Sequence, residues 1–484
     1  MKKNLFLLLC CGLAQATPLI YRAVFNYGEA FIYPSMFSHT LLIIPIIIAF
    51  YLKNRYTKAF LLIWISWLFI GELKILTYYE VNPYFISMDE GCTIYVVFVI
   101  AMSLGMLVHD ISTSPPELSQ AARIQGRILV KDLSWLEPVL VVFPLIWFAD
   151  FMRTVGFIPI FAGTDVTNLM YEIKYGYVYN YGFLNCIAAV LMYDRYLKGE
   201  SRGRRIFWLV MVGVSLLIMS IDSKRLFLLT SLLAIFIYDK IMAGALTIDR
   251  RTMVMLSFAV LFYVLLQNLR LGNASESPFT RDGLPLGAEF REYIRAVNEY
   301  EPGQIPNYDF AASMVGAFVN SFVLRLAGFD KNLLVGKDSA YSFMTLFDEE
   351  NTLGIRTGLI SELYFAYGFY ALILITLFGV FISYLSYRIV SVRLQSSLVI
   401  LSTIWGLLVL SVFGQTSVTV GCICVLMYLY IIIRLVKLFQ KDNQGAIAHY
   451  DLHRYSGTQP QTPYPEMPDL LAPSDDARLS GNRR

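Results

Sequence analysis

Apolar runs near 20 residues long recur along this chain, and that recurrence limits its fold more than any other feature. A helix needs about 20 mostly apolar residues to cross the hydrocarbon core of a bilayer. Only helices and closed barrels satisfy their backbone polar groups there. Such runs lie at 5–20, 36–52, 59–77, 91–109, 134–152, 181–197, 205–221, 225–242, 252–270, 366–388, 396–414 and 418–436. Composition agrees: 57% of residues are hydrophobic and 15% charged, whereas a soluble domain carries about a quarter charged. The expected fold class is all-α, a polytopic transmembrane bundle of about 12 helices with one large outer loop that itself contains helices.

The short loops orient the bundle. Lys2 and Lys3, Lys53, Arg55 and Lys58, Arg123, Arg127 and Lys131, Lys198, Arg202, Arg204 and Arg205, Arg250 and Arg251, Arg388 and Arg393, and Lys437 and Lys441 fall on one side. By the positive-inside rule that side is the cytoplasm. Because the basic residues are spread over short loops, the net charge of +3 does not point to nucleic acid. The opening "MKKNLFLLLCCGLAQA" combines a basic start, a short apolar core and Ala14-x-Ala16. It reads as an uncleaved first helix or as a cleavable signal, and the remaining topology is the same either way.

Four regions follow. Residues 1–270 hold the first nine transmembrane helices, and 271–355 form the large outer loop. Residues 356–440 hold a re-entrant segment and the last three helices. From 441 to 484 the chain is Pro-rich and polar, and is expected to be a disordered cytoplasmic tail. In the outer loop, Phe290, Tyr293, Ile294, Val297 and Tyr300 recur at helical spacing, which predicts an amphipathic helix on the membrane surface. The run 309–329 is long enough to cross, but crossing would carry Arg388, Arg393, Lys437 and Lys441 outside. It is therefore read as a packed or re-entrant helix ending at Arg325.

Basic residues are less expected on the outer side, yet Arg153, Lys174, Lys224, Arg225, Arg270, Arg281, Arg291, Arg295, Arg325, Lys331, Lys337 and Arg356 fall there. Their planar forks suit arginines to phosphate, so together they suggest a cavity for an anionic lipid-linked substrate. The alternative is local pairing with Glu289, Glu292, Asp330 or Asp348. Asp222, Lys224 and Arg225 share a short turn, which reads as a salt-bridged corner or as an anion site. Tyr171, Tyr175, Tyr177, Tyr179 and Tyr181 read as an interfacial belt or as a platform for sugar rings. In "RTGLISELYFAYG", Arg356 and Glu362 are poorly placed to pair on a regular helix, being about 120° off a common face. Each needs another partner, or the helix starts late, at Gly358.

Other chemistry is sparse. His39, His109 and two tail histidines have no metal partner at useful spacing, so no metal site is expected. Six cysteines lie in or beside apolar runs and read as packing residues. The chain has no phosphate-loop or dinucleotide fingerprint. An enzyme here needs no cofactor and draws on an already activated donor.

Three segments carry a resemblance. "GFIPIFAG" (156–163) is similar to a Gly-Gly-Ile-Pro-Leu-Leu segment that follows a helix. "DSKRLFLLTSLLAIFIYDK" resembles a Ser-Arg-Gly segment that opens one, with Lys224 and Arg225 near the Arg position. "GLISELYFAYGFYAL" resembles Gly-x-Leu-x-Glu-x-Tyr-x-Asn-Phe-Gly, with Glu362, Tyr364 and Gly368 in place, Ala366 for Asn and Tyr367 for Phe. With the late large loop, these segments resemble the bacterial O-antigen, or oligosaccharide repeat-unit, polymerases over most of the chain except its C-terminal tail.

The resemblance implies a multi-pass protein of the bacterial inner membrane, with the large loop periplasmic. Its activity would be that of a metal- and nucleotide-independent glycosyltransferase. The growing chain would leave undecaprenyl pyrophosphate for a sugar hydroxyl of the next lipid-linked unit. A chain-length regulator protein is an implied partner beside the substrate and the bilayer; nucleic acid is not. Departing pyrophosphate needs cations and the acceptor hydroxyl needs a base. Arg356 and Glu362 are the catalytic candidates for these two tasks. Arg325, Lys224, Arg225, Arg291, Arg295 and Tyr364 are the substrate-binding candidates. Two rivals remain: an O-antigen ligase transferring polymer to lipid A–core, and a flippase or transporter of lipid-linked oligosaccharide. The ligase family uses a histidine in its large loop, and 271–355 contains none.

Overall fold

The computed structural model describes residues 2–24, 36–77, 88–113, 132–133, 136–158, 181–220, 225–243, 287–319, nine positions between 324 and 343, and 356–455 except 393. Among these it is an all-α bundle without strands. The first five helices are α1 (Lys2–Val24), α2 (Met36–Leu41), α3 (Ile43–Tyr51), α4 (Arg55–Leu76) and α5 (Asp89–Ser112). Next come α6 (Glu137–Val155), α7 (Leu184–Lys198), α8 (Arg202–Ser220) and α9 (Arg225–Met242). The outer loop contributes α10 (Ala288–Glu299) and α11 (Phe310–Phe318). The last four are α12 (Leu359–Tyr367), α13 (Ala371–Ser391), α14 (Gln395–Leu410) and α15 (Thr416–Tyr455). The chain up to Ile431 forms one compact unit, and the residues from Ile432 a second.

Among the described residues seven helical stretches are long and apolar enough to cross a membrane, so this is a multi-pass membrane protein. The run 36–52 and helix α14 are shorter apolar helices. The run expected at 252–270 lies outside the described residues. Two expectations change. The span expected at 366–388 begins earlier, at Leu359, and is broken. Gly368 (φ 58°, ψ −142°) ends α12, and a short 3₁₀ turn, Gly368–Tyr370, leads into α13. Helix α15 also runs past 441, the expected start of the tail, to Tyr455, with no proline before Pro460; 456–484 lie outside the described residues.

Polar side chains set the junctions at the basic end. Asn54 caps α4, its side-chain oxygen accepting from the amides of Tyr56 (2.9 Å) and Thr57 (3.3 Å). Buried Asp110, near the end of α5, accepts from the amides of Lys53 (2.7 Å) and Asn54 (3.2 Å) and from the Tyr387 hydroxyl of α13 (2.8 Å). Asp194 of α7 accepts from Tyr238 of α9 (2.6 Å), Gln395 of α14 (2.9 Å) and Lys198 (2.7 Å). Asp132 accepts from the Ser396 amide in the first turn of α14 (2.8 Å). An unpaired buried carboxylate is costly, so each of these holds the loop-to-helix geometry around it.

The core of the bundle is the parallel crossing of α5 and α13. A Cβ at Gly105 would lie 2.0 Å from the Thr376 carbonyl oxygen, and one at Gly379 would lie 2.0 Å from that of Met102. Two glycines thus let two backbones meet, as small residues do between membrane helices. Gly379→Ala must separate the helices, at a cost of about 1–3 kcal/mol or more. Several-fold lower folded abundance, measured by detergent-extracted monomer on size exclusion, is the expected outcome. Unchanged abundance would show that the crossing yields freely.

Helix α10, expected on the membrane surface, turns its apolar stripe onto the bundle. Phe290, Tyr293, Ile294, Ala296 and Val297 are buried, and they pack against the ends of α4 and α5. A Cβ at Gly71 would sit 2.2 Å from the Phe290 ring, and one at Gly91 would sit 2.3 Å from Ile294. Phe290 meets Tyr95 edge-on, and the Tyr293 hydroxyl donates to the Gly91 carbonyl at 2.8 Å. The apolar stripe faces protein because two glycines leave a flat seat for it. Helix α11 is capped by Asp309, which accepts from the Ala312 amide at 2.9 Å, and it ends at Val319. Nine residues of helix span about 13.5 Å, too short to cross a bilayer.

Candidate functional site

Where Arg356 and Glu362 stand relative to each other is decided by where the helix starts. Gly358 adopts φ 84° and ψ 166°, and α12 begins only at Leu359. Arg356 therefore stands off the helix and is exposed, while Glu362 lies in the first turn and is 2% exposed. Among the described residues Arg356 has no ion-pair partner. The two do not form a salt bridge with each other.

Glu362 is built into a junction of several segments. Its Oε1 accepts from the Ser339 hydroxyl at 2.8 Å. Both carboxylate oxygens lie near the Thr416 amide, at 3.2 and 3.3 Å. Thr416 opens α15, so the carboxylate sits at a helix N-terminus, where amides point outward and negative charge is favoured. The Glu362 carbonyl accepts from the Tyr308 hydroxyl at 2.8 Å. The Leu359 amide donates to the Ser411 carbonyl at 2.9 Å, which holds the start of α12 to the α14–α15 turn. A Cβ on Gly358 would meet the Val412 carbonyl oxygen at 2.1 Å. Farther along, the Gly303 amide donates to the Phe365 carbonyl at 2.9 Å. The buried hydroxyls of Thr357, Ser361 and Thr416 have no hydrogen-bond partner among the described residues.

The Trp67 ring lies against Phe413 of this turn, tilted by 33° with centroids 4.7 Å apart. Trp67 is some nine residues short of the end of α4, or about 13.5 Å. The turn and the Glu362 carboxylate are thus recessed below the helix ends. Irregular backbone at such a depth survives where it is buried in protein or lines a water-filled cavity, and Gly358 and Leu359 are packed on protein.

The remaining candidates divide. Tyr364 is buried, with its ring against Phe98, Phe365 and Phe369. Arg291 and Arg295 both engage Glu292 on α10, through Arg291 Nε at 2.7 Å and Arg295 Nη1 at 3.7 Å. Two guanidiniums share this one carboxylate, so neither fork is fully open. Burial pushes the Tyr293 phenol well above its ordinary range, and burial also raises the Glu299 carboxyl against the opposing pull of Arg295. Arg153 pairs with Asp150 at 3.0 Å, and Lys337 with Asp309 at 3.9 Å. Arg325 and Lys224 lie outside the described residues, as does the side chain of Arg225, although its backbone opens α9. The segments 159–180 and 344–355, with Tyr171, Tyr175, Tyr177, Tyr179 and Asp348, lie outside them too, while Tyr181 is exposed.

Sequence reasoning missed Ser339, Thr416 and Tyr308 beside Glu362. They are 23, 54 and 54 residues away and carry no motif. It also passed over His39 and Glu72, which meet inside the bundle at 2.9 Å. An isolated Glu in an apolar run was the available signal for that pair. No group of three or more metal-ligating side chains gathers among the described residues. None of the six cysteines is in a disulfide, and Cys92, Cys186, Cys422 and Cys424 are buried. Comparison with protein-family models, with curated proteins and with solved structures returned no match.

Proposed function

We propose that this membrane protein polymerises undecaprenyl-pyrophosphate-linked oligosaccharide repeat units into a polysaccharide at the periplasmic face of the inner membrane. One observation carries the reading. An exposed arginine without an ion-pair partner among the described residues precedes a broken helix by three residues, and the first turn of that helix holds a carboxylate recessed at the N-terminus of α15. Broken helices with unwound backbone are where membrane proteins place charged substrate groups. In this reading Arg356 takes the pyrophosphate as it leaves. Glu362 orients the acceptor hydroxyl or takes its proton. Tyr364 shapes the wall. Arg291 and Arg295, tied to Glu292, contribute field rather than forks, and Arg325, Lys224 and Arg225 are the further cations assigned to the donor.

A second reading has an observation of its own. The buried His39–Glu72 pair is the kind of intramembrane ionisable pair that marks transport pathways, which favours a flippase or transporter of lipid-linked sugar.

The glycan profile of a deletion strain separates the readings. Loss of a polymerase leaves core carrying a single repeat unit and no ladder. Bare core with long lipid-linked polymer would instead identify a ligase. Unpolymerised units trapped on the cytoplasmic face would identify the flippase.

A further inference from the structure

We propose that His39 and Glu72 form a proton-binding site inside the bundle, in which one proton shared between imidazole and carboxylate ties α1 and α2 to α4. Both side chains are fully buried. Imidazole Nδ1 lies 2.8 Å from the Ala14 carbonyl oxygen of α1, and Nε2 lies 2.9 Å from Glu72 Oε1. A carbonyl oxygen only accepts, so Nδ1 must carry a hydrogen. A neutral imidazole then turns the lone pair of Nε2 toward Glu72. An ionised carboxylate also only accepts, so that contact would be repulsive. Hydrogen-bonding distance on both sides therefore requires one more proton, on Nε2 or on Oε1. The pair with that proton is neutral overall, which is the form that burial away from water favours.

Among the described residues the surroundings add no competing charge on the contact itself. Tyr21 of α1 and Cys92 of α5 are the titratable groups that act on Glu72. Both are ordinarily neutral. Asp89, at the start of α5, acts on Cys92. Phe69 meets the imidazole edge-on at 5.6 Å. On α4 Lys74 is two residues on, about 200° around the helix, with its Cβ under Gly287. Helix α10 reaches this end of α4 through Phe290 on Gly71, and α3 is apolar apart from Tyr51 at its far end. The tie matters because α1 is otherwise mostly exposed along its length. This site stands apart from Glu362 and does not depend on the polymerase reading.

The test uses full-length protein in lipid nanodiscs, with nitrogen-15 histidine NMR, carboxyl infrared spectra and hydrogen exchange along α1. His39→Gln assigns the His39 signals. At neutral pH either an imidazolium pattern for His39 or a protonated-carboxyl band removed by Glu72→Gln is expected. A neutral imidazole beside an ionised carboxylate overturns the proposal. Glu72→Ala should lower α1 protection at least tenfold, whereas Glu72→Gln, whose amide donates to Nε2 without titrating, should keep it at every pH. Unchanged α1 protection in Glu72→Ala overturns the tie, and folded yield of Glu72→Gln guards against simple misfolding.

Discussion

Arg356→Ala is expected to leave the protein in the membrane at wild-type abundance while polymer disappears. Arg356 is exposed and holds no ion pair among the described residues, so removing it should disturb no packing. If it binds the departing pyrophosphate, its loss removes a charge-assisted contact made as the bond breaks. Deleting one such donor costs about 2.7–4 kcal/mol, or roughly a hundred- to a thousandfold in rate. Arg356→Lys should recover little, because a lysine keeps the charge without the two-pronged fork. Glu362→Gln should also lose polymer, but with some loss of abundance. A glutamine turns an NH₂ toward a junction where the Ser339 hydroxyl and the Thr416 amide both donate. Immunoblots of membranes beside polymer ladders and donor binding separate the two variants. Full-length polymer from Arg356→Ala would remove the arginine from the mechanism.

Gly358→Ala is expected to be the most damaging single methyl in the protein. The residue sits at φ 84° and ψ 166°, a region that is essentially closed to side chains and costs about 1–3 kcal/mol where occupied. The added Cβ would also stand 2.1 Å from the Val412 carbonyl oxygen and 2.8 Å from its carbon. Backbone, unlike a flexible side chain, cannot swing away. Relief must come from separating the start of α12 from the α14–α15 turn. That breaks the Leu359–Ser411 bond and draws Glu362 away from Thr416. Polymer should be lost together with most of the folded protein, read as trypsin sensitivity and a broadened size-exclusion peak. Gly358→Asn should fare no better, because asparagine tolerates the left-handed helical region but not this ψ. Rescue by asparagine would mean that ordinary left-handed geometry suffices here.

Sequence by itself determined the class of this protein. Runs such as 59–77 and 91–109 are long, apolar and nearly free of charge, and the helices Arg55–Leu76 and Asp89–Ser112 fall on them. In a bilayer the backbone leaves only a helix or a closed barrel, and apolar runs of about 20 residues have the length of a spanning helix. The glycine before LISELYF was legible as a late helix start for the same local reason. Helix partners were not legible. The stripe of α10 announced an apolar face, and a membrane and a protein wall satisfy such a face equally. Its docking was decided by Gly71 and Gly91, more than 190 residues away in the chain. Likewise Glu362 and Arg356 looked alike as charges near lipid. Tertiary structure buried one against Ser339 and Thr416 and left the other in the open. Hydrogen-bond partners are chosen by distance in space, and in a bundle that distance is set by how helices cross, which no stretch of sequence contains.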